Sequence, residues 1–344
     1  MTDETTSHLA PQRPPTRLIA RAMSQFLLSS ARAWARPHTG DLTSAFVMCT
    51  TLTANLEHLG YGDPLAALAS DGRDGGAALR RPISANAIAE SLSLPYETVR
   101  RRTIAMIADG RLRRVEAGLI VPPETLAGVA LGRAMREVCD LLDDTVVTLA
   151  GIGFDAHAIA ASAGAAMPGP SAPPPPDALI ARIALDAQIR SLETVASSFG
   201  DIVSAYVCAT IVAANVRALT LDSELAWRYA AEDQSPPDAL RRPVTIRDLA
   251  RELAMPFETV RRHVRVLIER NAVVTVTARG VMVPRSVIEG ADAVRHQARL
   301  MMEFVRMIGN LARAGYDFSP RTRAGPVLPV PPSPIVVPMP NRLT

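Results

Sequence analysis

Two arginine pairs, Arg100-Arg101 and Arg261-Arg262, stand in nearly the same setting. Leu94-Pro95-Tyr96-Glu97-Thr98-Val99-Arg100-Arg101-Arg102 returns as Met255-Pro256-Phe257-Glu258-Thr259-Val260-Arg261-Arg262-His263. The shared core is Pro, an aromatic residue, then Glu-Thr-Val-Arg-Arg. Proline opens a helix at no cost, because an N–H in the first turn has no partner there anyway, and a Glu just after it suits the positive end of the helix dipole. Guanidinium forks on the exposed side of such a helix can grip phosphate or the edge of a guanine through two hydrogen bonds each. The chemistry offered is recognition of a polyanion, and it is offered twice.

Bond-making chemistry has little support. The sequence holds no phosphate loop, no Gly-x-Ser-x-Gly and no His/Cys/Asp cluster with metal-ligand spacing. No catalytic residue, metal or cofactor is expected, and the chain does not read as an enzyme. Asp140, Asp143 and Asp144 crowd a helix that packs by Val138, Leu141 and Leu142, so they read as its solvated face. Cys49, Cys139 and Cys208 are isolated and odd in number, which fits no disulfide framework and suits a reducing cytoplasm. Met1 to Arg17 is polar and has no apolar signal core. The longest apolar stretch, Val203 to Val216, contains Ser204, Thr210 and Asn215 and falls short of a membrane span; it reads as a buried helix.

Charge is concentrated around the two motifs. All 37 basic residues are arginine, the mark of arginine-favouring codon usage. Residues 80–122 carry eight Arg against four acids, a net +4, and residues 241–284 carry nine against four, a net +5. The whole chain is only +3, so the remainder is −6. Two positive modules on a negative body make a footprint for a polyanion.

The motif is the centre of a longer repeat. Leu18-Ile19-Ala20-Arg21 matches Leu179-Ile180-Ala181-Arg182, Ser44-Ala45-Phe46-Val47 matches Ser204-Ala205-Tyr206-Val207, and Gly153-Phe154-Asp155 matches Gly315-Tyr316-Asp317. The offset stays between 160 and 162, which marks a duplicated domain. The expected organisation is a disordered N-terminus at 1–16, a first unit at 17–155, a Pro/Ala-rich linker at 156–176, a second unit at 177–317 and a Pro-rich tail at 318–344, disordered or extended.

Each unit reads as mostly helical. A first helix is expected over 17–36 and 178–197, and Asp41 and Asp201 cap a second, apolar one. Segments 60–79 and 219–240 read as loops. A short helix follows, with Ile88 and Leu92, or Leu249 and Leu253, facing inward and Thr245 with Asp248 as a capping box. Next comes the motif helix, which buries Val260, Val264, Leu267 and Ile268, or Val99, Thr103, Met106 and Ile107. Strands at 112–115 and 119–121, and at 273–276 and 281–283, form hairpins around Gly118 and Arg279-Gly280. Long helices at about 124–150 and 286–313 close the units. Asn55 and Asn215, at matching places in the apolar helices, read as hydrogen bonds fixing register across a unit interface, with an effector pocket as the alternative.

Helix, turn, basic helix and hairpin is the order of a winged helix-turn-helix. Ala250 to Val274 resembles bacterial transcription regulators of the MarR, IclR and GntR type. The resemblance covers about 45 residues of each unit and does not reach the flanking helices. It implies a mostly α fold with small β-hairpin wings, in which Pro95 to Ala108 and Pro256 to Glu269 are recognition helices. Tyr96, Thr98, Arg100, Arg101 and Arg102, and Phe257, Thr259, Arg261, Arg262, His263 and Arg265, would then face DNA, with Arg113, Arg114 and Arg279 on or near the wings. Glu116 in the first wing turn departs from the pattern. Two heads in one chain suggest an internal pseudo-dimer that reads an imperfect inverted repeat with recognition helices about 34 Å apart. The differences Arg102/His263 and Ile104/Arg265 would make its half-sites unequal. The expected partner is double-stranded DNA in the nucleoid of a bacterial cytoplasm. A homodimer and a small-molecule effector are both compatible with the sequence, and no membrane is expected. Tandem winged helices also occur in protein-interaction scaffolds of chromosome condensation and in plasmid replication initiators, the two rival readings.

Overall fold

A computed structural model describes residues 15–38, 40–61, 79–162, 174–276 and 280–319. The chain is mostly helical and carries two small antiparallel hairpins. The first half runs α1 (Thr16–Ala35), a 3-10 turn (Arg36–His38), α2 (Leu42–Leu56), α3 (Ala85–Leu92), α4 (Tyr96–Ala108), β1 (Arg113–Val115), β2 (Gly118–Ile120), α5 (Pro123–Leu126), α6 (Val129–Gly151) and α7 (Ala156–Ser162). The second half repeats the order as α8 (Asp177–Phe199), α9 (Ile202–Leu221), a short α10 (Ser223–Arg228), a 3-10 turn (Asp238–Leu240), α11 (Ile246–Leu253), α12 (Phe257–Glu269), β3 (Val274–Thr275), β4 (Val281–Met282), α13 (Arg285–Ile288) and α14 (Ala291–Arg313).

Several boundaries differ from the sequence reading. The segment 219–240 is not a plain loop, because it holds the end of α9 and all of α10. The late helices are each broken in two at Gly128 and Gly290, which become the N-caps of α6 and α14. The segment expected as linker begins with α7, which packs against α14. The first strand of the first hairpin is Arg113–Val115, and the second hairpin is two residues per strand. Segments 1–14, 62–78, 163–173 and 320–344, which include most of the expected linker and tail, lie outside the described residues. The apolar helix α9 is longer than the sequence suggested. At 20 residues it is long and apolar enough to cross a membrane, with 67% of its most apolar window buried inside the fold.

The caps form as expected. The Thr43 amide donates to Asp41 Oδ1 at 3.1 Å and the Ser204 amide to Asp201 Oδ1 at 2.8 Å, which starts α2 and α9. The Asp248 amide donates to Thr245 Oγ1 at 3.1 Å to start α11, and the Thr245 hydroxyl, not its amide, donates to Asp248 at 2.7 Å.

Asn55 and Asn215 correct the sequence reading. Neither crosses between the halves. Asn55 Nδ2 donates to the carbonyls of Arg81 (2.7 Å) and Leu119 (3.1 Å), and its Oδ1 accepts from the Val121 amide (2.9 Å). Asn215 does the same with Arg242 (2.8 Å), Val281 (3.3 Å) and Val283 (3.0 Å). Each Asn fastens a hairpin and the strand-like segment before α3 or α11 to the long apolar helix of its own half. That segment bridges to the hairpin at Ile83–Leu119 and Val244–Val281. The approach is close enough to require glycine beside it. A Cβ on Gly118 would stand 2.6 Å from the Ile83 carbonyl oxygen, and one on Gly280 would stand 2.3 Å from that of Val244.

One hydrophobic core runs through both halves, and the contacts between them are reciprocal. Arg182 Nη2 donates to the carbonyls of Leu56 and Leu59 in the first half, and its counterpart Arg21 donates to Tyr229 in the second. Ser91 on α3 bonds Glu193 on α8, and the counterpart of that pair is Glu252 on α11 beside Arg32 on α1 at 4.0 Å. Phe154 packs on Phe304, with ring centroids 5.9 Å apart, and its counterpart Tyr316 bonds Asp143. Where the halves meet, residues touch their own counterparts. Gln188 donates to the Leu27 carbonyl at 2.7 Å, and Phe46 lies edge-on to Tyr206 at 6.0 Å. One end of the join holds buried charge. Arg182 sits over the Tyr61 ring and 3.8 Å from Asp186, which accepts the Tyr61 hydroxyl.

Candidate nucleic-acid interface

The two motif helices owe their position to a tight turn and a buried stripe. After α3 and α11 the chain takes one left-handed residue, Ser93 or Ala254, both at φ 51°. The next amide closes the helix end: Leu94 donates to Ala89 and Met255 to Ala250, both at 3.0 Å. Pro95 and Pro256 then serve as N-caps, one residue before the position the sequence suggested. Val99, Thr103 and Met106 face inward from α4, and Val260, His263, Val264 and Leu267 from α12. Ile107 is half-buried and Ile268 exposed, so the stripe is narrower at its C-terminal end than expected.

This leaves one exposed row on each helix. Tyr96, Glu97, Arg100, Arg101 and Ile104 form it on α4, and Phe257, Glu258, Arg261, Arg262 and Arg265 on α12. Thr98 and Thr259 are half-buried at its edge. Within the row the first Arg of each pair leans back on the Glu one turn earlier. Arg100 Nε lies 2.7 Å from Glu97 Oε2, and Arg261 Nη2 lies 2.8 Å from Glu258 Oε2. The hydrogen bond from Arg100 holds the Glu97 carboxyl below its ordinary range. Arg101 and Arg262 have no ion pair among the described residues. A depression of about 340 Å³ on α12 is lined by Glu258, Thr259, Arg261, Arg262 and Arg265. The second half thus gathers four of its expected contact residues, Thr259, Arg261, Arg262 and Arg265, around one concavity.

His263 and Arg102 do not belong to this surface. His263 is only 7% exposed and points back into the fold, with Nδ1 2.8 Å from Ser204 Oγ and 3.8 Å from Asp201 Oδ2. Burial lowers its pKa, against the pull of the Asp201 carboxylate. Its counterpart Arg102 is half-buried and pairs with Asp41 Oδ2 at 2.7 Å. The reason is rotation. Each helical residue turns the side chain by about 100°, so three consecutive residues cannot share a face. Position 263 is three beyond Val260 and joins the buried stripe, as 102 does three beyond Val99. Both side chains tether a motif helix to the start of the apolar helix beneath it, Arg102 through Asp41 and His263 through Ser204, whose neighbour is Asp201. The sequence showed those Asp residues as caps only, and the i, i+3 spacing was the signal that would have found their second role.

The hairpins place two more expected residues. Arg113 and Arg114 are exposed on β1, and Arg113 reaches Glu124 at 3.3 Å. Arg279 lies outside the described residues. Further arginines near the motifs are exposed that the sequence reading did not single out: Arg81 and Arg242 in the segments before the helix pairs, and Arg247 and Arg251 on α11. The repeated Arg-Arg-Pro at 80–82 and 241–243 carried that signal for the first two. In each half Asn55 or Asn215 bonds the backbone carbonyl of the second Arg of the pair, and that residue is exposed. Among the described residues no group of three His, Cys, Asp or Glu could hold a metal ion. No family model, curated protein or solved structure matches this chain.

Proposed function

We propose that the protein is a sequence-specific double-stranded DNA-binding transcription regulator. Each half is read as a winged helix-turn-helix of the MarR, IclR and GntR kind, with α4 and α12 in the major groove and the hairpins as wings. One observation carries this reading. The same Pro-aromatic-Glu-Thr-Val-Arg-Arg helix occurs twice, with its Arg pair exposed both times from an equivalent helix-turn-helix-hairpin frame. The reciprocal packing of the halves supports a pseudo-two-fold relation between the heads, which suits an imperfect inverted repeat. The Glu97–Arg100 and Glu258–Arg261 pairs are exposed to solvent, so they hold the first forks ready and are cheaply exchanged for phosphate.

The test is selection of the full chain against a random duplex pool, followed by titration of the enriched site at several salt concentrations. A bipartite inverted repeat is expected, with affinity falling steeply as salt rises. Arg101→Ala and Arg262→Ala should each cost about 1–3 kcal/mol per lost base contact. Enrichment of no duplex would overturn the reading in favour of a protein-interaction scaffold, and tandem direct repeats would favour an initiator.

A further inference from the structure

His263 is buried and Arg102 is drawn off the exposed row onto Asp41, which removes one of the two differences that could distinguish the heads. The other remains on the surface. Ile104 stands one turn beyond Arg100 in the row that begins at Tyr96, and Arg265 stands in the same place beyond Arg261 and Phe257. Ile104 is 47% exposed, although the inward stripe of its helix is complete without it. The Arg265 side chain is 67% exposed and rests on Glu269, itself exposed, at 3.4 Å. The residue matching Glu269 on α4 is Ala108, so the first head lacks both partners of that pair.

An apolar branched side chain and a guanidinium ask for different base edges. In the major groove the one apolar group is the thymine 5-methyl, while the bidentate acceptor edge is guanine O6 and N7. We propose that Ile104 reads a thymine methyl in one half-site where Arg265 reads a guanine in the other. The inference rests on the DNA-binding reading above and specifies its asymmetry. Covering one methyl is worth about a fourfold gain in affinity, and a bidentate Arg–guanine contact about fivefold to over a hundredfold. The half-site read by the second head should therefore be the more strictly defined at this position.

The experiment uses the full chain and a duplex carrying its selected bipartite site. Replacing the thymine by deoxyuridine removes only the methyl. About fourfold weaker binding is expected for the unmodified chain and no change for Ile104→Ala. Replacing the guanine by 7-deazaguanine removes one acceptor, and should weaken the unmodified chain but not Arg265→Ala. Ile104→Arg should convert the first half-site preference from T to G. Both positions are exposed, so the variants should keep the circular dichroism of the parent. Specific binding with the same base preferred at both positions, or a T preference that survives Ile104→Arg, overturns this inference and leaves the DNA reading intact. Absence of any specific duplex overturns that reading, and the inference with it.

Discussion

Replacing Asn215 with Ala should unfasten the second hairpin from α9, and the cost follows from its three bonds. The Val281 carbonyl keeps a partner, because it also accepts from the Val244 amide at 3.0 Å. The Val283 amide does not share that fate. Val283 is 1% exposed and its N–H is paired with Asn215 Oδ1, so truncation leaves a buried donor without an acceptor. An orphaned donor costs about 1–3 kcal/mol, and each of the other lost bonds about 1 kcal/mol net, which sums to roughly 3–5 kcal/mol. Chemical denaturation of the full chain should show the midpoint falling with its slope unchanged, and amide exchange should quicken at Val283 before it does in α9. Asn215→Asp keeps the acceptor but sets a carboxylate against two carbonyls, so it should be no milder than Ala. Asn55→Ala should cost a similar amount, because its three partners are equivalent. The reasoning fails if either Ala variant costs less than about 1 kcal/mol, or if Asn215→Asp is the benign one.

Four other outcomes are expected. Gly280→Ala should destabilise by about 2–4 kcal/mol, since its Cβ would meet the Val244 carbonyl oxygen at 2.3 Å with φ at 114°; a neutral melting curve would refute this. Ala254→Gly should stabilise by about 0.5–1 kcal/mol by relieving a left-handed residue at the helix turn, read from the denaturation midpoint. Burial, aided by the Arg111 guanidinium, holds the His38 pKa down to about 4. The unfolded chain therefore takes up that proton first as pH falls below about 6.5, and up to about 3 kcal/mol is lost by about pH 4, a slope that His38→Gln should flatten in a denaturation series. Asp186→Ala should cost about 3 kcal/mol or more, because Arg182 is then buried with no opposing charge; replacing both residues by apolar ones should restore part of the loss.

The sequence made the frame legible where local signals were redundant. Asp41 and Asp201 precede apolar runs, Pro95 and Pro256 open the motif helices, and Gly118 and Gly280 sit at hairpin turns, so each element was marked by at least one residue type with a conformational reason. Longer-range pairings were not legible. Nothing local tells that Asn55 reaches Leu119 and Val121, since those partners lie 64 and 66 positions away. The break at Gly128 escaped because an isolated glycine in a helical pattern is commonly tolerated. Arg102 and His263 were misplaced for a different reason: a run of basic residues looks like one surface until the helical angle is applied to each in turn. The cross-half pairs, such as Ser91 with Glu193, became readable only once the two copies were docked.

The meeting of Phe46 with Tyr206 has a further meaning. In a dimer of identical chains, residues on the symmetry axis meet their own copies, so the contact must suit a residue paired with itself. Covalent joining lifts that constraint. Here one ring has kept only carbon, while the other carries a hydroxyl that donates to the Leu28 carbonyl at 2.7 Å. Each half is thus free to specialise. Joining also makes their association unimolecular, so dilution does not part them. For a two-headed binder, site occupancy would then rise with the first power of protein concentration, where separable halves would follow the second. A cell holding few copies would keep its response graded, with no threshold set by assembly.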